Sequence, residues 1–361
     1  MATALLTGYP GQLAVGLLPR LLRRDPGLAV VCLVQSRFHG AAAERVAALP
    51  EALAGRVELV TGDVTLADLG LGDRRGALAR RLTHVFHLAA AYDLELPYDV
   101  GLRVNVAGTR HVVHLSADSP GLRRLHHVST CYVSGRWAGI FREEDLDKGQ
   151  RFNNAYEESK HLAETLVAHA GAGGMPVTVH RPAVVGGDAA TGATEKLDGL
   201  FLMFRLLLRQ PGTWSLLPLV GDVDAYRFNV VPRDFVVEAI DALAAREDTV
   251  GGTFALADPE PPTVRELAGM LGEAAGKRLV GVPTPRRATR AALRWVPGLR
   301  RLVGIPPAAV DYYTHPTHYT TDAAAPLLAE AGVALPDRRR WLAAMAAFAA
   351  AHPGLPTTGM R

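Results

Sequence analysis

The first half of the chain alternates short apolar runs with longer stretches in which apolar residues recur at helical spacing. Ala4-Leu5-Leu6 leads into a glycine-rich turn, Gly8 to Gly11, and Leu13 to Arg24 then carries its apolar residues at intervals of three and four up to the break at Asp25-Pro26-Gly27. This predicts strand, turn and helix. Leu28 to Val34, Val57 to Val60, Thr83 to Leu88 and Leu125 to Val128 are continuous apolar runs, and Val177 to His180 and Gly252 to Leu256 extend the series. Runs of this kind suit strands buried on both faces of a parallel sheet. Joined by helical segments, they predict an α/β, doubly wound parallel-sheet fold with ligands at the carboxyl ends of the strands. From about Ala189 the pattern turns irregular, and prolines at Pro259 to Pro262, Pro283 to Pro285 and Pro306-Pro307 punctuate the last third. The expected division is a sheet domain from residues 1–189 and 228–257, with a smaller, mainly helical substrate lobe from 190–227 and 258–361.

Composition narrows the classes. At 361 residues, 48% hydrophobic and 21% charged, the chain buries a sizeable core and is neither disordered nor fibrous. Lys and Arg number 39 against 36 Asp and Glu, so any basic surface is local and nucleic acid is not an expected partner. Two cysteines, Cys32 and Cys131, leave no disulfide framework and no cysteine metal site, which fits a reducing cytoplasm. The N-terminal residues carry no basic leader or apolar signal core. The most apolar later stretch, Leu197 to Val220, contains Asp198, Arg205, Arg209, Pro211 and Pro218, and so falls short of the ~20 apolar residues of a membrane span. The reading is a soluble, cytoplasmic protein, with peripheral membrane contact left open.

The chemistry begins at Thr7-Gly8-Tyr9-Pro10-Gly11-Gln12-Leu13-Ala14, where the first strand meets the first helix. Gly8 permits a tight turn, Gly11 allows backbone amides to approach a pyrophosphate, and the helix N-terminus favours its charge. The second strand ends in Val34-Gln35-Ser36-Arg37, with no acidic residue before Glu44 to hold a ribose 2′-hydroxyl. Ser36, Arg37 and Arg45 suit a 2′-phosphate instead, so NADPH is expected ahead of NADH. Asp63 and Val64 follow the third strand, where a carboxylate can accept from an adenine amino group. His87-Leu88-Ala89-Ala90 closes the fourth, where small residues let the backbone pass close beside a cofactor. His87 itself reads as a satisfied strand-end histidine. Asn105 opens the next predicted helix, positioned to bond across strands or support a water.

The strongest constellation is Tyr156-Glu157-Glu158-Ser159-Lys160. Residues four apart share a helix face, so Tyr156 and Lys160 point the same way, and the ammonium is expected to lower the phenol pKa toward working pH. Thr130, at a strand terminus, can orient a carbonyl or bear part of a developing oxyanion.

Together these residues resemble the extended short-chain dehydrogenase/reductases over about residues 4–257. The resemblance implies a Rossmann NAD(P)-binding domain, with Tyr156 as proton donor, Thr130 as carbonyl partner and Lys160 as the ribose-binding residue that tunes the phenol. It also implies that the backbone of Arg181-Pro182-Ala183-Val184-Val185 receives the nicotinamide carboxamide. Nucleotide-sugar enzymes of this superfamily carry Asn-Tyr-Gly where this chain has Ala183-Val184-Val185, and their dehydratases an acidic pair where it has Cys131-Tyr132. The Arg-Pro-Ala-x-Val-x-Gly form and Val231-Pro232-Arg233-Asp234-Phe235 are more similar to fatty acyl-CoA reductases and terminal thioester reductase domains. The implied reaction is NADPH-dependent reduction of a hydrophobic acyl thioester, on CoA or an acyl carrier protein, to aldehyde or alcohol. The alternatives are a ketoreductase of 3β-hydroxysteroid dehydrogenase type and a catalytically silent NADP-binding regulator. Ala14 in place of a third glycine and the displaced Arg37 depart from the family pattern.

Leu200 to Leu208 and Trp214 to Val220 supply apolar surface that serves as helix core or lines a pocket for an aliphatic substrate. Between Arg286 and Arg301 stand six arginines and no acid, interleaved with Leu293, Trp295, Val296 and Leu299. Such a helix is a solvated face, or it docks an acyl carrier protein or an anionic membrane. The histidines of His315-Pro316-Thr317-His318 lack the further ligands of a metal site, so no metal is expected. The sequence permits a homodimer without specifying one.

Overall fold

The fold comes from a computed structural model that describes residues 2–197, 199–297 and 306–356. Seven parallel strands form its centre: β1 (Ala2–Thr7), β2 (Leu28–Val34), β3 (Val57–Thr61), β4 (His84–His87), β5 (Arg124–Val128), β6 (Val177–Pro182) and β7 (Thr253–Leu256). Their spatial order is β3-β2-β1-β4-β5-β6-β7, so the order reverses between β1 and β4. That reversal opens a crevice at the carboxyl ends of the two strands, where a doubly wound sheet takes its ligand. The seven strands fall on the runs read as strands in the sequence; six are largely buried on both faces, whereas the edge strand β3 is half-buried, with Glu58 and Thr61 exposed.

Helices cover the sheet on both sides. On one face α1 (Gln12–Arg24) packs against a later helix that spans Arg233–Ala244, around a core that includes Leu17, Leu21, Phe86, Val236 and Ile240. The approach is close: a Cβ on Gly16 would stand 3.1 Å from a Val237 methyl. On the other face lie α2 (Gly108–Ala117) and α3 (Ala155–Ala172), above Leu5, Val85, Leu125 and Val179.

The C-terminal region builds a second core from α4 (Leu200–Arg209), α5 (Val264–Ala274), α6 (Arg286–Trp295) and α7 (Arg338–Ala351). It is less purely helical than the sequence suggested. Trp214–Val220 is a strand paired in parallel with Arg278–Thr284. In Trp214-Ser215-Leu216-Leu217 burial alternates, with Ser215 and Leu217 inside and Trp214 and Leu216 each 59% exposed. This period of two belongs to a strand covered on one face only. In Leu200 to Leu208, Phe201, Phe204 and Leu207 are core, and Met203 also lines an apolar pocket. Among the described residues no helix is long and apolar enough to cross a membrane.

Candidate active site

The turn after β1 is shaped by sterics. Gly8 has φ +85°, and a Cβ there would stand 2.8 Å from the amide nitrogen of Ala89 and the carbonyl carbon of Leu88, so only glycine fits between the ends of β1 and β4. Gly11 donates its amide to the Gly8 carbonyl at 2.8 Å and is the N-cap of α1, without a side-chain cap. The first turn of α1 carries no acidic residue, which leaves its amides and partial positive charge for an anion. Thr7 Oγ1 accepts from the Ala89 amide at 3.1 Å and lies 2.8 Å from His87 Nδ1, while His87 Nε2 lies 2.9 Å from Thr109 Oγ1. His87 is therefore a buried tie between β4, β1 and α2.

Beyond β2 the polar groups form a chain. Arg37 donates through Nε and Nη2 to Gln35 Oε1 at 3.0 and 2.8 Å, and Gln35 Nε2 donates to Asp63 Oδ2 at 2.9 Å. The second Asp63 oxygen accepts from the Thr65 amide at 2.8 Å. Ser36 and Arg37 are exposed on a short turn, and Arg45 is paired with Glu195 at 2.8 Å. Gln35 and Glu195 did not figure among the sequence candidates; Glu195 lies 150 positions from Arg45, and no local signal links them.

Tyr156 and Lys160 project from the first turns of α3, whose N-cap Asn154 accepts from the Glu157 amide at 3.0 Å. An Asn directly before the first helical residue is a start signal legible in the sequence. Asn154 Nδ2 also donates to Tyr312 Oη at 3.1 Å, tying α3 to the C-terminal lobe. The Lys160 ammonium is 2% exposed and donates to the Val128 carbonyl at 2.8 Å. Burial pulls its pKa down to about 8, with Glu164 opposing. Tyr156 is also buried, with Thr130 beside its phenol. Burial pushes its phenol above the ordinary value, and Thr130 only partly offsets this. The lowering expected from Lys160 is not found: burial dominates at the phenol, Glu157 adds to it, and the phenol stays protonated across the neutral range. Thr130 Oγ1 lies 3.3 Å from the Pro182 carbonyl and accepts from the Tyr132 amide at 3.2 Å, which fixes the hydroxyl at the end of β5.

Two candidates prove to be committed elsewhere. Asn105 lies in a π-helical turn, Leu102–Ala107, rather than at a helix start; it accepts from the Ala91 amide at 2.7 Å and donates to Ser159 Oγ at 2.9 Å. Its role is to hold the loop after β4 against α3. The Arg181 guanidinium is buried against Glu164, at 2.6 Å, and donates to the Asp145 carbonyl at 2.7 Å, so only its backbone can face a ligand. Pro182 ends β6, Ala183 is buried, and Val184 and Val185 form a short half-buried strand beside Val230-Val231. Leu88, Ala89 and Val64 border the crevice, with Ala90 exposed at its rim. In the basic helix, Arg286 and Arg290 pair with one buried carboxylate, Asp311, at 2.6 and 2.9 Å, while Arg287 and Arg294 are exposed. Leu299, Arg300 and Arg301 lie outside the described residues. Among those described, no group of His, Cys, Asp or Glu is placed to hold a metal ion.

These features, a glycine turn against an uncapped helix start and a buried Thr-Tyr-Lys group across the crevice, fit a nicotinamide dinucleotide. Residues 6–240 match the family model of NAD-binding domains described as male sterility protein. The chain is similar to glycine betaine reductase ATRR of Emericella nidulans, 31% identical across 73% of this chain and 22% of that protein. It is also similar to a linear gramicidin synthase of Brevibacillus parabrevis, 30% identical across 73% of this chain and 5% of that one. It therefore spans less than a quarter of the length of either. Among solved structures, the terminal R domain from the myxalamid PKS-NRPS pathway superposes with a TM-score of 0.81 at 26% identity, covering 100% of this chain and 93% of that domain. The chain thus belongs to the male sterility protein family, a family of NAD(P)-binding domains of the extended short-chain dehydrogenase/reductase type.

Proposed function

We propose that the protein reduces a hydrophobic acyl thioester to an aldehyde, with NADPH as the reductant. The observation that carries this reading is the buried Tyr156 phenol with Thr130 beside it, and Lys160 one turn further along the same helix. The likeness to a terminal R domain and the reductases among the relatives support it. The gramicidin synthase match supports a carrier-protein thioester as the form in which the acyl group arrives. The bound cofactor supplies the hydride. Thr130 and Tyr156 hold the thioester oxygen through their hydroxyls, and Tyr156 donates its proton as negative charge develops there. The product of that step is a hemithioacetal, whose collapse breaks the carbon–sulfur bond and releases aldehyde and thiol. Lys160, held by the Val128 carbonyl, places its positive charge beside the ribose and the phenol. Gly8, Gly11 and the start of α1, with Gln12 and Leu13, would cradle the pyrophosphate; the turn bearing Ser36 and Arg37, with Arg45, would receive the 2′-phosphate. Asp63 would sit beside the adenine, and the backbone of residues 181–185 beside the carboxamide.

An apolar pocket of about 360 Å³ in the second core supports a hydrophobic acyl group, with Met203, Leu217, Leu219, Leu271, Ala292 and Tyr313 among its walls. The domain of residues 1–189 and 228–257 would then bind cofactor, and the rest would bind substrate. The test is NADPH and NADH oxidation with medium and long acyl-CoAs, carrier-protein thioesters, aldehydes and ketones, with products identified by mass. Thioester turnover to aldehyde establishes the reading. Turnover of ketones alone replaces it with the ketoreductase, and tight NADPH binding without any turnover replaces it with the regulator.

A further inference from the structure

A turn that begins at Asp188 closes on itself. The Asp188 amide donates to the Ala193 carbonyl at 3.0 Å, the Gly192 amide returns to the Asp188 carbonyl at 2.8 Å, and the Asp188 carboxylate accepts from the Thr191 amide at 3.0 Å and pairs with Arg233 at 3.2 Å. From this closed base the tripeptide Thr194-Glu195-Lys196 reaches both sides of the dinucleotide crevice. Thr194 Oγ1 accepts from Gln12 Nε2, at the first residue of α1, at 3.2 Å. Glu195 Oε1 accepts from Arg45 Nη2 at 2.8 Å, on the β2 side. The Lys196 ammonium stands 4.4 Å from the centre of the Tyr92 ring, after β4, and that ring stands edge-on to Tyr156 with centroids 4.9 Å apart. Three consecutive residues thus touch the start of α1, a cation on the helix after β2 and the aromatic neighbour of the proposed acid.

We propose that this tripeptide is a strap over the crevice, and that Glu195 is a specificity-determining positioning residue that acts through Arg45. The proposal rests on Arg45 as a partner of the 2′-phosphate. A 2′-phosphate and the Glu195 carboxylate compete for one guanidinium and repel each other, whereas a 2′-hydroxyl leaves the Arg45–Glu195 pair in place. Glu195 therefore moderates the preference for NADPH, and the phosphate that takes Arg45 also releases the middle of the strap.

The test is the dissociation constants of NADPH and NADH, titrated by fluorescence on the full chain, in wild type, Glu195→Gln, Glu195→Asp and Arg45→Gln. Glu195→Gln is expected to raise the NADPH-over-NADH affinity ratio about fivefold, the scale of an exposed charge pair. Glu195→Asp, which keeps the carboxylate, holds the wild-type ratio, and Arg45→Gln lowers it roughly tenfold. A merely structural role for Glu195 would move both cofactors together. If Arg45→Gln lowers the ratio and Glu195→Gln leaves it unchanged, the strap proposal is overturned and the cofactor reading stands. If Arg45→Gln leaves the ratio unchanged, the proposal falls together with the role of Arg45.

Discussion

The Lys160 ammonium is anchored on the Val128 carbonyl at 2.8 Å, so the end of β5 sets the position of the charge that α3 carries into the site. Burial brings that lysine to about 8, while the same burial drives the Tyr156 phenol upward. The two groups therefore lose their protons in the order lysine first. If reduction needs the Lys160 cation, kcat/KM falls as pH rises through about 8, and the descending limb belongs to Lys160 and not to the phenol. In Lys160→Arg the guanidinium stays charged, so the limb disappears whatever the residual rate. A limb unchanged in the arginine variant would remove Lys160 from the pH dependence.

Tyr156 is separable from cofactor binding. Tyr156→Phe keeps the ring against Tyr92 and removes only the hydroxyl next to Thr130. Reduction is expected to fall about 10²- to 10⁴-fold, with NADPH affinity within a factor of about two. Stopped-flow hydride transfer and fluorescence titration check the two halves, and retained turnover would exclude Tyr156 as the acid.

Arg37 lies on the exposed turn after β2, bonded to Gln35 and stacked on Phe38 at 4.6 Å. Arg37→Asp is expected to weaken NADPH by roughly tenfold or more and NADH little, since it places a negative charge where the 2′-phosphate would sit. Equal loss for both cofactors would show that Arg37 does not read the 2′-position.

Glu164 and Arg181 form a buried pair, 2% and 3% exposed in their side chains, that joins α3 to β6 beneath the site. Removing one partner leaves an uncompensated charge in the interior. Glu164→Ala is expected to cost about 3–5 kcal/mol in urea unfolding, well above the roughly 1 kcal/mol expected for loss of the Asn154 cap in Asn154→Ala. A Glu164→Ala cost no larger than the cap's would mean that water reaches the guanidinium.

The pocket between α4, α5 and α6 gives a test of substrate class. Ala292→Phe fills it from the α6 side, so KM for a long-chain acyl thioester should rise roughly tenfold while a short-chain one is little affected. A uniform change across chain lengths would place the acyl group elsewhere.

The chain's local patterns determined the sheet and the chemistry of its edge. Short runs rich in Val and Leu, set between amphipathic segments, marked the strands, and the glycine turn marked the end of the first of them. The four-residue spacing of Tyr156 and Lys160 likewise puts both on one helix face wherever the helix lies. What sequence could not carry was the balance of forces between residues far apart. That burial governs the Tyr156 phenol, that Asp311 pairs with Arg286 and Arg290, and that Trp214 to Val220 finds its partner in Arg278 to Thr284 all depend on contacts across the folded molecule. Glu195 shows this most plainly: its meeting with Arg45 spans 150 positions, and only the packing of the turn at Asp188 against the crevice brings the two charges together.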